Sequence, residues 1–118
     1  MSKRVLVVDD SNLMRHRIVQ CLTDAGHSVV GKARDGGEAI DLYRQLSPDV
    51  VTMDATMRGK DGITAAKEIL AIDPRATIIF YTLLDAPHLT AQIEKLAVKK
   101  LIRKGDEHGL LQTLASMS

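Results

Sequence analysis

Tryptophan is absent from this chain, phenylalanine occurs once and tyrosine twice. So few aromatic faces leave little on which bases could stack. The net charge of +1, from 16 basic and 15 acidic side chains, supplies no basic footprint for nucleic acid. The single cysteine, Cys21, excludes an internal disulfide and fits a reducing cytoplasm. No apolar run approaches the roughly 18 residues that mark a membrane span. The start, "MSKRVLVVDD", follows two basic residues with only four apolar ones, too few for a signal peptide. Repeats, low-complexity tracts and linker-like stretches are missing as well. What is present is ordinary for a globular protein: 118 residues, 45% hydrophobic and 26% charged. One domain over residues 1–118 is expected, with no room for an attached output domain.

Short apolar runs alternate with longer segments of helical period. The strand candidates are "RVLVVD", "SVVGKA", "DVVTMD", "ATIIFYT" and "KKLIRK". Their near-continuous Val and Ile content is that of strands buried on both faces. Between them, Met14, Ile18, Cys21, Leu22 and Ala25 share one helical face, and Gly26 follows as a stop. Ala39, Leu42, Tyr43 and Leu46 mark a second helix, with Asp35 as N-cap and Glu38 placed as in a capping box. Ile63, Ala66 and Leu70 mark a third helix, ending near "DP". Leu89, Ile93, Leu96 and Ala97 mark a fourth, and Leu110, Leu114 and Met117 a fifth. The order is (βα) five times. Right-handed crossovers then predict a doubly wound α/β fold, a parallel sheet with helices on both faces. Ligands of such sheets bind beyond the carboxyl ends of the strands, where the strand order reverses.

The first strand ends in Asp9 and Asp10, the third in Asp54, the fourth in Thr82 and the fifth in Lys104. Each has an ordinary reading. Asp10 ahead of Ser-Asn is a helix N-cap, Asp54 a turn residue, Thr82 a structural hydroxyl and Lys104 a solvated charge. The combination changes the balance. Carboxylates a few ångströms apart repel by several kcal/mol per pair at an effective dielectric of about 20, so the crevice calls for a cation. An all-oxygen ligand set suits Mg²⁺, whereas scattered His16, His27, His88 and His108 do not suggest zinc. A carboxylate beside Mg²⁺ can attack phosphorus and form an aspartyl phosphate. Lys104 would neutralise a phosphoryl oxygen, and Thr82 would donate to the product. That hydroxyl contact is expected only when phosphate is present, and so to bias a two-state element.

"VLVVDDS", "VVTMDATM…DG", "IIFYT" and "LIRKG" together resemble receiver domains of bacterial response regulators, across essentially the whole chain. "VTMDATM" is most similar to the stand-alone, CheY-like chemotaxis type. The resemblance implies a flavodoxin-like fold with strand order 2-1-3-4-5. It further implies that Asp54 accepts a phosphoryl group from a histidine kinase or phosphotransfer domain. Asp10, Asp54 and the backbone carbonyl of Thr56 would ligate Mg²⁺, with Asp9 acting through water. Lys104 would pair with the phosphate and Thr82 would be the switch hydroxyl. A downstream protein would bind the face of the fourth helix, fifth strand and fifth helix. A cytoplasmic monomer that is not a turnover enzyme is expected.

The chain also departs from the family pattern. Arg58 replaces a usual proline, Gly105 replaces the proline after Lys104, and Leu101 replaces the aromatic switch residue. A cis bond before a non-proline costs roughly 2.5–4 kcal/mol, so the Lys104–Gly105 bond is expected trans or its loop altered. Leu83 is expected to narrow access to Asp54, and Ala97 to alter the turn after the fourth helix. Arg58 reads either as a solvated loop residue or as a phosphate contact. Lys95, Lys99, Lys100 and Arg103 read as a solvated surface or as a site for an acidic partner. These departures motivate the alternative of a degenerate receiver, a protein-binding module that works without phosphate. A dehalogenase-type hydrolase would want an Asp where Thr56 stands, and the acidic "VVDDSN" would repel the phosphate of FMN.

Overall fold

The computed structural model describes residues 2–83 and 85–117. Five strands, β1 (Arg4–Val8), β2 (Ser28–Ala33), β3 (Val50–Met53), β4 (Ile78–Thr82) and β5 (Lys100–Arg103), alternate with five helices. The helices are α1 (Asn12–Asp24), α2 (Gly36–Leu46), α3 (Gly62–Ile72), α4 (Pro87–Glu94) and α5 (Glu107–Ala115). All strand pairings are parallel, in the order β2-β1-β3-β4-β5. This is the flavodoxin-like architecture expected from the chain.

Alternation along the strands divides the core into two layers. Val5, Val7, Ile79, Tyr81 and Ile102 face α1 and α5, where Ile18, Leu22, Leu110 and Leu114 cover them. Leu6, Val8, Val51, Met53, Ile78 and Phe80 face the other way, against Ala39, Ile40, Ile63, Ala66, Ile69 and Ile93 of α2, α3 and α4. The helices therefore change sides between β1 and β3, which opens a crevice at the carboxyl ends of those two strands. No described helix is long and apolar enough to cross a membrane.

Local chemistry sets most helix starts, and four details of the helix termini depart from expectation. Asp35 caps α2 by accepting the Glu38 N–H at 2.9 Å. The Glu38 carboxylate, however, reaches back to the Arg34 N–H at 2.8 Å rather than to the cap residue itself. At α1 the cap is Ser11, whose hydroxyl accepts from Met14 N–H, so Asp10 is not the N-cap. Helix α4 stops at Glu94, leaving Leu96 and Ala97 outside it. There the chain tightens into bonds three residues back, Lys95 to Gln92 and Leu96 to Ile93. That turn returns the chain to the sheet, where Lys99 N–H meets the Ile78 carbonyl at 2.8 Å to begin β5. Leu96 still packs on the core, as does Met117 just past the end of α5.

Candidate functional site

Three strand ends are each extended by one further backbone bond. Asp9 N–H donates to Ala33 O at 3.1 Å, Asp54 N–H to Val8 O at 3.0 Å, and Lys104 N–H to Thr82 O at 2.8 Å. Each functional residue is thus the first beyond its strand yet still tied to the neighbouring strand. Their side chains start from fixed points at the crevice, as preorganised chemistry requires.

The side chains converge. Asp9, Asp10 and Asp54 each offer a carboxylate oxygen within 4.8 Å of the others. Lys104 Nζ lies 2.8 Å from Asp9 Oδ2 and 3.2 Å from Asp54 Oδ2. Thr82 Oγ1 donates to Asp54 Oδ1 at 2.8 Å, and the Thr56 N–H approaches the same oxygen at 3.4 Å. The Asp54 carboxylate itself thus accepts the Thr82 hydroxyl. Asp9 Oδ1 is engaged by the Ser11 N–H at 2.9 Å, while its Oδ2 is the oxygen paired with the Lys104 ammonium.

Charge in this pocket is unbalanced. One ammonium serves two buried carboxylates, with Asp10 adjoining them. Burial pushes the Asp54 carboxyl above its usual range, and the charge of Asp9 pushes the same way. The Lys104 charge and the Thr82 hydrogen bond oppose this without cancelling it. For Lys104, burial pulls downward, but Asp9 and Asp54 together outweigh it and hold the ammonium above its ordinary value. Lys104 thus stays charged while Asp54 lacks full compensation. The three carboxylates are an oxygen-only donor set whose negative charge the single ammonium does not balance. A hard divalent cation fits both features.

Three glycines shape the loop after Asp54 and its seat against α2. A Cβ on Gly62 would stand 1.9 Å from the Asp54 carbonyl oxygen, so α3 starts directly against the end of β3. A Cβ on Gly36 would meet Lys60 O at 2.7 Å, where Gly36 N–H now donates to that carbonyl at 2.8 Å. Gly59, with φ +75°, supplies the left-handed turn between them.

The departures from the family pattern fall as follows. Arg58 is exposed, yet its backbone N–H approaches Asp10 Oδ2 at 3.3 Å and its Nε the same oxygen at 3.7 Å. All described peptide bonds are trans, including Lys104–Gly105, and Gly105 takes φ +101°. Leu101 is half-buried against the α2–α4 layer. Leu83 is 60% exposed and lines a cleft with Met14, Tyr81, Lys104 and Gly105. Lys95, Lys99, Lys100 and Arg103 are all exposed.

A parallel 2-1-3-4-5 sheet with an acidic crevice, a threonine and a lysine at its strand ends defines a recognisable class. The response regulator receiver domain family matches residues 5–115, and the chain belongs to that family. Within it the chain is CheY-like. It is 43% identical to the chemotaxis protein CheY of Thermotoga maritima over 104 residues, 88% of this chain and 87% of that one. It is 40% identical to CheY of Bacillus subtilis over 104 residues, again 88% and 87% of the two chains. Among solved structures, the CheX–CheY–BeF3–Mg²⁺ complex from Borrelia burgdorferi matches with a TM-score of 0.88. That match has 33% identity and covers 96% of this chain and 87% of that one.

Proposed function

We propose that this chain is a single-domain response regulator that accepts a phosphoryl group on Asp54. The donor is a phosphohistidine on a histidine kinase or phosphotransfer domain. The carrying observation is Asp54 itself, buried at the β1–β3 crevice with Thr82 on one oxygen and Lys104 on the other. One Asp54 oxygen attacks phosphorus, the O–P bond forms, and the N–P bond breaks. The imidazole leaves with that electron pair and takes up a proton.

Lys104 meets the charge that arrives on the phosphoryl oxygens, since it is already within reach of Asp54. The Thr82 hydroxyl transfers its hydrogen bond from the carboxylate to a phosphoryl oxygen. Asp10, Asp54 and the Thr56 carbonyl would hold Mg²⁺, with Asp9 engaging it through water. That ion, when bound, supplies positive charge against both the carboxylates and the transferring group. Burial of Asp54 keeps competing water from surrounding the acyl phosphate.

The output is a change in affinity for a downstream protein on the face of α4, β5 and α5, in a cytoplasmic chemotaxis pathway. CheY relatives and a CheY neighbour in complex with CheX support that reading. The protein acts as a monomer and performs its own phosphotransfer and dephosphorylation without turning over a separate substrate. Incubation with Mg²⁺ and phosphoramidate, followed by intact-mass measurement, tests the proposal. One phosphoryl adduct is expected on the wild type and none on Asp54→Asn. An undiminished adduct on the variant would sink it.

One observation favours a second reading. Leu101 stands where the family has the aromatic partner of the switch hydroxyl, and it packs half-buried against the α2–α4 layer. A protein whose hydroxyl has no aromatic to move with can work as a binding module independent of phosphate. Equal target binding by the wild type and by Asp54→Asn, with no adduct on either, would establish that module in place of the phosphorylated switch.

A further inference from the structure

Tyr81 is a buried phenol, 2% exposed, on the α1–α5 side of β4. Its hydroxyl oxygen accepts the Gly105 N–H at 2.8 Å. The adjacent residue of the same strand, Thr82, accepts the Lys104 N–H through its carbonyl at 2.8 Å. Two consecutive residues of β4 therefore grip the N–H groups of two consecutive residues of the β5–α5 loop. One bond uses backbone and the other a side chain.

The residue held between those grips is Lys104, whose ammonium spans Asp9 and Asp54. Its chain neighbour Gly105 lies at φ +101°, with nothing within 4 Å of where a Cβ would be. Neither side-chain packing nor a proline ring restrains the loop at that point. A proline there would have no N–H to donate, so the glycine and the phenol form one device. A buried tyrosine hydroxyl usually finds some partner. This one finds the N–H of the residue directly after the lysine.

We propose that Tyr81 is a positioning residue, latching Gly105 so that Lys104 is held at the reach of Asp54. The inference rests on Asp54 as the phosphoryl acceptor and adds a residue that touches neither donor nor acceptor. Removal of the hydroxyl alone, by Tyr81→Phe, frees the loop while keeping the ring in the core.

The experiment compares phosphoramidate labelling of wild type, Tyr81→Phe, Lys104→Ala and the double variant, as full chains with Mg²⁺. Tyr81→Phe is expected to slow labelling roughly ten-fold in the wild-type background, and less than about two-fold when Lys104 is already alanine. Gly105 amide exchange should accelerate by about ten-fold, and the Lys104 Nζ resonance should shift. Labelling at the wild-type rate would overturn the inference. So would an equal loss in both backgrounds, which is the result of a merely structural role. If the wild type takes no label, the acceptor reading fails separately. Gly105 exchange and the Lys104 resonance then decide the latch, and no change in either removes it.

Discussion

Replacing Gly62 with alanine should damage phosphorylation far more than it damages the fold. Gly62 is the first residue of α3, and its N–H donates to the Ala55 carbonyl at 3.0 Å. The added methyl would stand 1.9 Å from the Asp54 carbonyl oxygen, 2.9 Å from its carbonyl carbon and 3.0 Å from Ala55 Cα. All three are backbone atoms, so no rotamer change relieves the overlap. Reaching ordinary van der Waals separation requires movement of roughly 1.5 Å. The moving parts are the start of α3 and the turn that carries Asp54. Overpacking of this kind costs about 1–3 kcal/mol, or several degrees of melting temperature in a chain of this size. Misplacement of a reacting group by about 1 Å can cost on the order of 100-fold in rate. Phosphoramidate labelling followed by mass measurement reads the rate, and thermal melting reads the stability. Gly26→Ala is the matched control, because Gly26 has φ +88° but open space around its Cβ. It should lose stability through backbone strain while labelling normally. Wild-type labelling of Gly62→Ala, or equal labelling of the two variants, would refute the reasoning.

Two further predictions follow from buried polar groups. The Asp54 carboxyl is raised in the folded chain, chiefly by burial. The stability it contributes is therefore present below its unfolded value near 3.8 and lost as pH rises through the folded value. At neutral pH with chelator, Asp54→Asn should melt higher than the wild type, and added Mg²⁺ should narrow the gap by stabilising the wild type more. A lower melt for the variant would contradict this. Thr52 is buried in β3 with its hydroxyl unpartnered among the described residues. Thr52→Val should raise stability by about 1 kcal/mol in urea unfolding, and a loss would show that the hydroxyl has a partner.

The five strands and the convergence at their ends were legible because the chemistry is local. Val and Ile runs mark buried parallel strands, and an acid, hydroxyl or ammonium directly after such a run must sit at the sheet's carboxyl edge. Topology then brings Asp9, Asp54, Thr82 and Lys104 together without knowledge of any contact. What was not legible depends on contacts between distant residues. Ser11 rather than Asp10 capping α1 follows from how the chain leaves β1, where Asp9 Oδ1 engages the Ser11 N–H. The end of α4 at Glu94 is set by the return to β5, whereas the apolar period alone carried the helix through Ala97. The Thr82 hydroxyl bonding to the Asp54 carboxylate needed the pocket's geometry. The Tyr81–Gly105 bond joins residues 24 positions apart and leaves no periodic trace.

The central claim is that Asp54, among three adjacent carboxylates, is the one that carries phosphate. Borohydride reduces an acyl phosphate to the alcohol, converting the modified aspartate to homoserine. After labelling with phosphoramidate and Mg²⁺, reduction and peptide mapping should find homoserine at position 54 alone. Homoserine at position 9 or 10, or at no position in protein that has taken the label, would contradict it.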